Sequence, residues 1–548
     1  MKLGKAVGTI GGLTMVSRVL GFGREIVMAR VLGANMYADA FLVAFRLPNT
    51  FRRFFGEGAF SAGFVPLFSQ RYHGEGGIEE AKKFSEEVLA VFLPALFAFT
   101  LVGQLLMPAL VWLLASGYAS DAEKFALTTN LSGQLLMPAL VWLLASGYAG
   151  DADKFALTTD LSRITFPYLM LISLVSLFSG VLNSMHRFAA AAFAPALLNM
   201  AMLVALLLFR EGGAVTATAL AWAVVVGGVV QLGLTWWAAR QAGISLKLRR
   251  PRMTPGVRQF FRVVIPATFA AGVYQVSILI DTQFVSYLPE GSMAHLNYAD
   301  RLNQLPLGII GTALGTAILP TISKFVDQGD PQAANKVQNQ ALDLAMLLTL
   351  PAAIAFAAAG VPLVTALFQG GEFTTQDAIV TGNTLAIIAL GLPAYVLVKV
   401  LTPGFFARED TKTPLKIAMI VLAANVALNF ALVPFFGLYG LALALMLTSW
   451  LNCAMLYATL RRRGHFHIEP AVGARVVRQL IAAAAMGATI LLLDRAIGHW
   501  LGGSTVQRLV GLGALIGSSG IVYFGVGWMI GAVDKDDVRL LFKRRAAR

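Results

Sequence analysis

The chain has 548 residues, 57% of them hydrophobic and only 13% charged, with a mean hydropathy of +0.71. A soluble domain carries roughly 25% charged residues, so this composition excludes a water-soluble globular protein and describes a chain dissolved in lipid. The formal charge of +14 does not mark a nucleic-acid binder, because the basic residues sit in short segments between apolar runs, where they set membrane orientation. The single cysteine, Cys453, lies inside an apolar run and excludes an intrachain disulfide.

Apolar runs of about 20 residues, each long enough to cross roughly 30 Å of hydrocarbon as a helix, recur from end to end. Only helices or closed barrels satisfy every backbone N–H and C=O in lipid, and the alternation of barrel strands is missing. The pattern predicts an all-α polytopic membrane protein of about fourteen spans, near 7–30, 36–69, 84–115, 163–183, 190–209, 214–238, 260–288, 295–320, 337–358, 376–404, 415–434, 438–460, 473–493 and 507–531. The first is expected to be retained, since it carries Arg18, Arg24 and Glu25 and lacks a small-residue cleavage site. The acid-free segment from Arg240 to Arg262 holds seven arginines and lysines, which predicts a cytoplasmic location for it and for both termini.

Residues 103–132 and 133–162 form a tandem repeat that differs only at Ser120/Gly150, Glu123/Asp153 and Asn130/Asp160. It is either a recent duplication or a sequence error. One full extra crossing would invert everything downstream and put the Arg240–Arg262 segment outside, against the charge rule. The additional copy is therefore expected to fold back or to lie at the outer interface. A fainter match aligns the run ending at Ser69 with that ending at Ser323, bringing Pro66 onto Pro320; it points to two repeated lobes with a site between them, with chance as its competitor.

Ionisable groups within spans cost a few kcal/mol each on insertion scales, about 2.5–3.5 at the helix centre, and are functional candidates by default. The first two spans carry Arg18, Arg24, Glu25, Arg30, Asp39, Arg46, Arg52, Arg53 and Glu57, the eighth Asp300 and Arg301, and the tenth Lys399. Arg18 and Arg24 are six residues apart, roughly 120° around the helix axis, so both can border one cavity without stacking. Arg18, Arg24, one of Arg52 or Arg53, and Arg301 converging on a cavity would bind pyrophosphate through guanidinium forks. The structural alternative is that Arg30, Arg46 and Arg53 reach an interface, while Arg18 or Arg24 pairs with Glu25 or Asp39. Asp281 in the seventh span, Asn425 and Asn429 on one face of the eleventh, and Thr448 on the twelfth offer a set of hard oxygen donors suited to Na⁺, or simply hydrogen bonds between helices. Prolines 48, 66, 266, 306, 320, 393 and 403 fall within or at the ends of spans and predict kinks that let lobes rock. Gly308, Gly311 and Gly315 read as close helix packing, and the HxH of His465 and His467 is too weak to argue for a metal. No phosphate-binding loop, nucleophile elbow or zinc motif supports an enzyme.

The runs SRVLGFGREIVMARVLGA from Ser17 and YADAFLVAFRLPNTFRRFFGEGAFSAGFVPLFSQ from Tyr37 resemble the MurJ/MviN lipid II flippases of the multidrug/oligosaccharidyl-lipid/polysaccharide exporter superfamily. So do KFALTTDLSRITFPYLMLISL from Lys154, FAPALLNM from Phe193, the NYADR run from Asn297 and VKVLTPGFFAREDTKTPLKIA from Val398. The resemblance implies two six-helix lobes, here 1–250 and 251–463, and a pair of C-terminal helices in 464–548 that forms a groove for an undecaprenyl tail. It implies outward movement of lipid II across the bacterial cytoplasmic (inner) membrane, with no cofactor and no covalent chemistry. The family's cavity arginines match Arg18, Arg24, Arg52 and Arg301, its acids match Asp39 and Glu57, and its tenth-span lysine matches Lys399. Coupling to Na⁺ or to membrane potential would engage Asp281, Asn425, Asn429 and Thr448. Lipid II, membrane lipids and cell-wall synthesis proteins are the implied partners. The chain departs from many relatives at Gln304, where they carry glutamate, and in the duplicated segment. The rival functions are export of drugs or polysaccharide-lipids within the same superfamily, and a non-transporting cell-wall scaffold.

Overall fold

The computed structural model describes residues 3–52, 59–114, 152–501 and 503–534. Most of the duplicated segment, and with it the expectation that the second copy folds back, lies outside these residues, as do Arg53 and Glu57. The described residues form seventeen helices: α1 Leu3–Leu32, α2 Met36–Arg52, α3 Ala59–Tyr72, α4 Gly77–Leu105, α5 Met107–Leu114, α6 Ala152–Thr165, α7 Tyr168–Ser184, α8 Ala189–Leu208, α9 Gly213–Gln241, α10 Pro255–Ser286, α11 Ser292–Asp327, α12 Pro331–Phe368, α13 Thr375–Ala389, α14 Leu392–Phe406, α15 Lys412–Arg462, α16 Pro470–Leu501 and α17 Thr505–Met529. No strand accompanies them beyond one isolated bridge between Gly370 and Phe373. Nine helical stretches among the described residues are long and apolar enough to cross a membrane.

Helix ends follow the local chemistry. Thr254 and Asp330 accept from the N–H groups of Val257 and Ala333, each with proline next in sequence at the first helical position, where its missing N–H costs nothing. Thr374 with Asp377, and Ser504 with Gln507, form reciprocal capping boxes. The expected spans 415–434 and 438–460 are the two arms of α15, separated at Gly437, whose φ of 55° and ψ of −128° break the helix. A Cβ at Gly440 would lie 2.4 Å from the Leu432 carbonyl oxygen. Eight residues of continuous helix would hold those positions about 12 Å apart, so the chain doubles back here.

Packing divides the chain into two units, Met1–Ala294 and His295–Arg548. In the first, α1 lies on α8, α2 on α6, and α3 packs among α4, α7 and α10. Its core is aromatic: the buried Phe64 ring stacks on Phe84 at 5.6 Å and meets Phe260 edge-on at 6.3 Å. The turn from α4 into α5 is fixed to α6 and the start of α7 by Gln104, which donates to the Arg163 carbonyl at 2.6 Å, and by Phe99 stacked on Phe166 at 6.3 Å.

In the second unit α12 is the centre, packed on α13, α14, α16 and α17. Two asparagines one turn apart on it grip the extended segment after α15. Asn335 Oδ1 accepts the His467 N–H at 2.9 Å, and Asn339 donates to the His467 carbonyl and accepts the Glu469 N–H. The HxH motif thus serves as an anchor strip. A turn further along, Asp343 accepts from Arg475 and Gln479, both at 2.8 Å, and Arg475 also meets Asp534 at 3.2 Å. Tyr523 donates to the Leu347 carbonyl at 2.7 Å. The C-terminal pair α16 and α17 is therefore fastened to α12 by buried polar bonds as well as apolar packing.

α5 is drawn from the front of the first repeat copy and α6 from the rear of the second, so the packed pieces together amount to a single copy. Excising residues 115–144, one full period, joins Leu114 to Ala145 and regenerates one copy. The expected result is unchanged abundance and thermal midpoint, measured on the purified protein. A second prediction concerns His465, in the loop outside the spans. Burial, and then Arg408 and Arg463, hold its pKa below the ordinary value, with Asp410 opposing. A depressed folded pKa contributes stability that is fully present above the unfolded value of about 6.5 and is lost as pH falls through the folded value. The unfolding midpoint of the parent is expected to fall more steeply with acidification below about pH 6.5 than that of His465→Gln.

Candidate functional site

The four expected arginines have different surroundings. Arg24 on α1 is buried, 6% exposed. Its Nη2 donates to Oε1 of the neighbouring Glu25, itself 1% exposed, and its Nη1 donates to Asn199 Oδ1 at 3.1 Å and lies 3.3 Å from Met202 Sδ. Asn199 is held in turn by its own donation to the Ser17 carbonyl at 3.1 Å. The guanidinium is thus clamped on two sides by α1 and α8, while its buried Nε–H has no hydrogen-bond partner among the described residues. Arg18, six residues earlier, is exposed. Arg52 closes α2, and Arg301 on α11 is half-buried in the second unit. Asn199 carried no charge to single it out in the sequence; its only signal was an amide inside an otherwise apolar helix.

Asp39 occupies a different kind of place. Its carboxylate is 1% exposed and takes three donors: Lys154 Nζ at 2.8 Å, the Gly291 N–H at 2.9 Å and the Ala294 N–H at 2.9 Å. The last two belong to the opening turn of α11, whose unsatisfied N–H groups and positive dipole end favour an anion. Gly291 has φ of +82°, and a Cβ there would lie 2.4 Å from the Ala34 carbonyl oxygen, so no other residue fits this approach. Asp39 was expected among the headgroup-binding residues; in this structure its carboxylate is engaged by these three donors. Its partner Lys154, 4% exposed, stood in the sequence as part of the repeat and at the head of a family-like run, but was not among the candidate site residues.

Arg46, for which reaching an interface was the structural alternative, donates to Thr282 Oγ1 at 2.7 Å, next in sequence to the buried Asp281, 9% exposed. In the second unit Lys399 lies across Gly311, where a Cβ would sit 2.9 Å from its Nζ. The glycine makes room for an ammonium group there rather than for a neighbouring helix. Gln304 donates to Asp300 Oδ2; an amide at this position satisfies a carboxylate that a glutamate would repel. Asn429 donates to Asn425 Oδ1 at 3.1 Å, and Thr448 gives its proton to the Ala444 carbonyl at 2.7 Å. All three are buried, and Asp281 belongs to the other unit.

The buried pair Asp39 and Lys154 generates a prediction. Removing one partner of a buried ion pair costs about 3–5 kcal/mol. Lys154→Met is expected to destabilise within that range in denaturant unfolding of the detergent-solubilised protein. Asp39→Ala is expected to cost more, because it also leaves two backbone N–H groups without their acceptor.

The sequence model of the family "Lipid II flippase MurJ" matches residues 28–137 and 130–511, the two segments overlapping inside the repeat. A MurJ relative from Rhizobium tropici is 42% identical over 100% of this chain and 97% of its own. A lipid II flippase MurJ from Burkholderia cenocepacia is 34% identical over 97% and 98%. A solved structure of a lipid II flippase MurJ in an inward closed conformation superposes with a TM-score of 0.74 at 22% identity, covering 95% of this chain and 98% of that one, and so shares its fold. With a family model spanning most of its length and a full-length relative at 42% identity, the chain belongs to the lipid II flippase MurJ family.

Proposed function

We propose that this protein carries lipid II from the inner to the outer leaflet of the bacterial cytoplasmic membrane by alternating access, with both termini in the cytoplasm. The observation that supports it most directly is Arg24. A buried guanidinium, oriented by Glu25 and Asn199 and retaining a buried Nε–H with no acceptor among the described residues, is suited to an anionic group that arrives and leaves. A pyrophosphate would compete with Glu25 for the charge and satisfy the remaining donor, using the fork geometry that guanidinium offers and ammonium does not.

Arg18, Arg52, Arg301 and Lys399 complete the cationic set we assign to the headgroup, with Glu57 as the family acid beside it. Asp39 acts through the parts it holds rather than by touching substrate. The undecaprenyl tail runs along α16 and α17, whose outward faces carry exposed Leu480, Ile481, Ile521 and Trp528. Direction comes from different affinities of the two states for headgroup, cation or potential. Moving one charge through the membrane field supplies about 2.3 kcal/mol per 100 mV. Na⁺ at Asn425, Asn429, Thr448 and Asp281 is the alternative source of coupling. No bond is made or broken in lipid II, consistent with a family of flippases rather than enzymes.

A drug exporter of the same superfamily, taking small cations, would require an acidic site, and the assigned set is cationic. A scaffold that gathers cell-wall enzymes would not need the arginines at all. The deciding experiment measures lipid II accessible at the outer face of cells depleted of their own flippase and supplied with the parent, Arg24→Ala or Arg301→Ala at matched abundance. Losing charge-assisted bonds worth about 1.5–3 kcal/mol predicts a fall of about ten- to hundredfold in transport. Full transport by both variants would overturn the arginine site, and a folded parent without transport would overturn the flippase reading.

A further inference from the structure

Between α9 and α10 the chain runs from Gly243 to Thr254 without helix or strand; Ile244 and Leu246 pack on the core, whereas the later apolar side chains of the segment face outward. Arg249, about half exposed, reaches back to α4. Its Nε donates to Oε2 of Glu86 on α4, a carboxylate 2% exposed, whose Oε1 accepts the Lys247 N–H at 3.1 Å. Thr254 Oγ1 donates to Oε2 of Glu87 at 2.8 Å. With the backbone fastened this way, Leu248 beside Arg249 is 72% exposed and Met253 is 55% exposed. Around them Lys247, Arg250, Arg252 and Arg258 are all exposed, and among the described residues no carboxylate pairs with any of their side chains.

Two large apolar side chains among uncompensated cations are unfavourable in water and favourable at a bilayer surface. There, apolar groups enter the boundary between headgroups and acyl chains while anionic headgroups neutralise the cations. α9 is long and apolar enough to span, and α10 covers the span expected from the sequence at 260–288, so the segment joins the ends of two apolar helices. We propose that Gly243–Thr254 is a preorganised docking surface for anionic phospholipid headgroups, with Leu248 and Met253 immersed in the leaflet. Lipid is the occupant rather than an acidic protein, because two apolar side chains on a short tethered segment fall far below the roughly 800 Å² per partner of a stable protein interface. Glu86 and Glu87 supply the preorganisation, and Arg249 is the one cation of the segment paired with a carboxylate among the described residues. The proposal does not depend on the transported cargo.

The test uses the full-length protein carrying Cys453→Ala and Met253→Cys, labelled at residue 253 with a polarity-sensitive fluorophore. The protein is placed in nanodiscs of phosphatidylcholine alone or mixed with phosphatidylglycerol. Phosphatidylglycerol is expected to shift the emission to the blue and to expose the dye to quenching by brominated acyl chains. Added salt should reverse the shift, since screening at physiological ionic strength sets in over about 8 Å. Replacing Arg250 and Arg252 with alanine is expected to weaken the response about fivefold per cation removed, and replacing them with lysine to preserve it. Water-like emission in both lipid mixtures overturns the proposal. So does a blue shift of equal size in both, since that would be apolar burial without headgroup recognition. Both outcomes are read on the labelled parent, so the result does not rest on the arginine variants folding.

Discussion

An ionised side chain taken out of water must be neutralised at short range, and this constraint organises the buried polar structure of the protein. A buried charge left alone costs several kcal/mol, in a chain whose net stability is of the order of 5–15 kcal/mol. Arg24 lies against Glu25, Asp39 against Lys154 and two backbone N–H groups, Glu86 against Arg249, and Asp343 against Arg475 and Gln479. Apart from the adjacent Arg24 and Glu25, each cluster joins segments far apart in sequence. The same groups that would be a liability in lipid therefore specify which helices meet.

Neutralisation alone does not distinguish a structural charge from a working one; the remaining hydrogen-bonding capacity does. Asp39 accepts three bonds from groups that the fold holds in place, so an arriving ligand would have to break architecture to reach it. Arg24 is neutralised by one carboxylate and oriented by one amide, yet keeps a buried donor. A group in that condition can exchange one anion for another at modest cost. This difference, rather than burial or charge, separates the headgroup candidate on α1 from the acid on α2.

The helices were legible because a span needs about 20 apolar residues whatever it packs against; even the break at Gly437 lay between two expected spans. The lone acid on α2 was legible as a candidate, but not its role. Its partners are a lysine 115 positions away and two backbone N–H groups, and no local pattern encodes either. Lys399 could be placed on a span, whereas its seat on Gly311 depends on how α11 and α14 approach one another. Gln304 looked like the loss of a charge and is a donor to Asp300. In each case the sequence carried the residue type, and the tertiary approach of separate helices carried its chemistry.

The repeat shows how weakly such a fold resists insertion at the right point. α5 and α6 draw on opposite ends of the duplicated segment and meet as one copy would, tied by Gln104 to Arg163 and by Phe99 to Phe166. The stretch between Leu114 and Ala152 is 37 residues long, and a single copy would leave 7. A duplication whose cut points fall between two packed helices leaves the pair of Asp39 with Lys154 in place, and the seat of α6 against α2 is set by that pair and not by the length of chain before it.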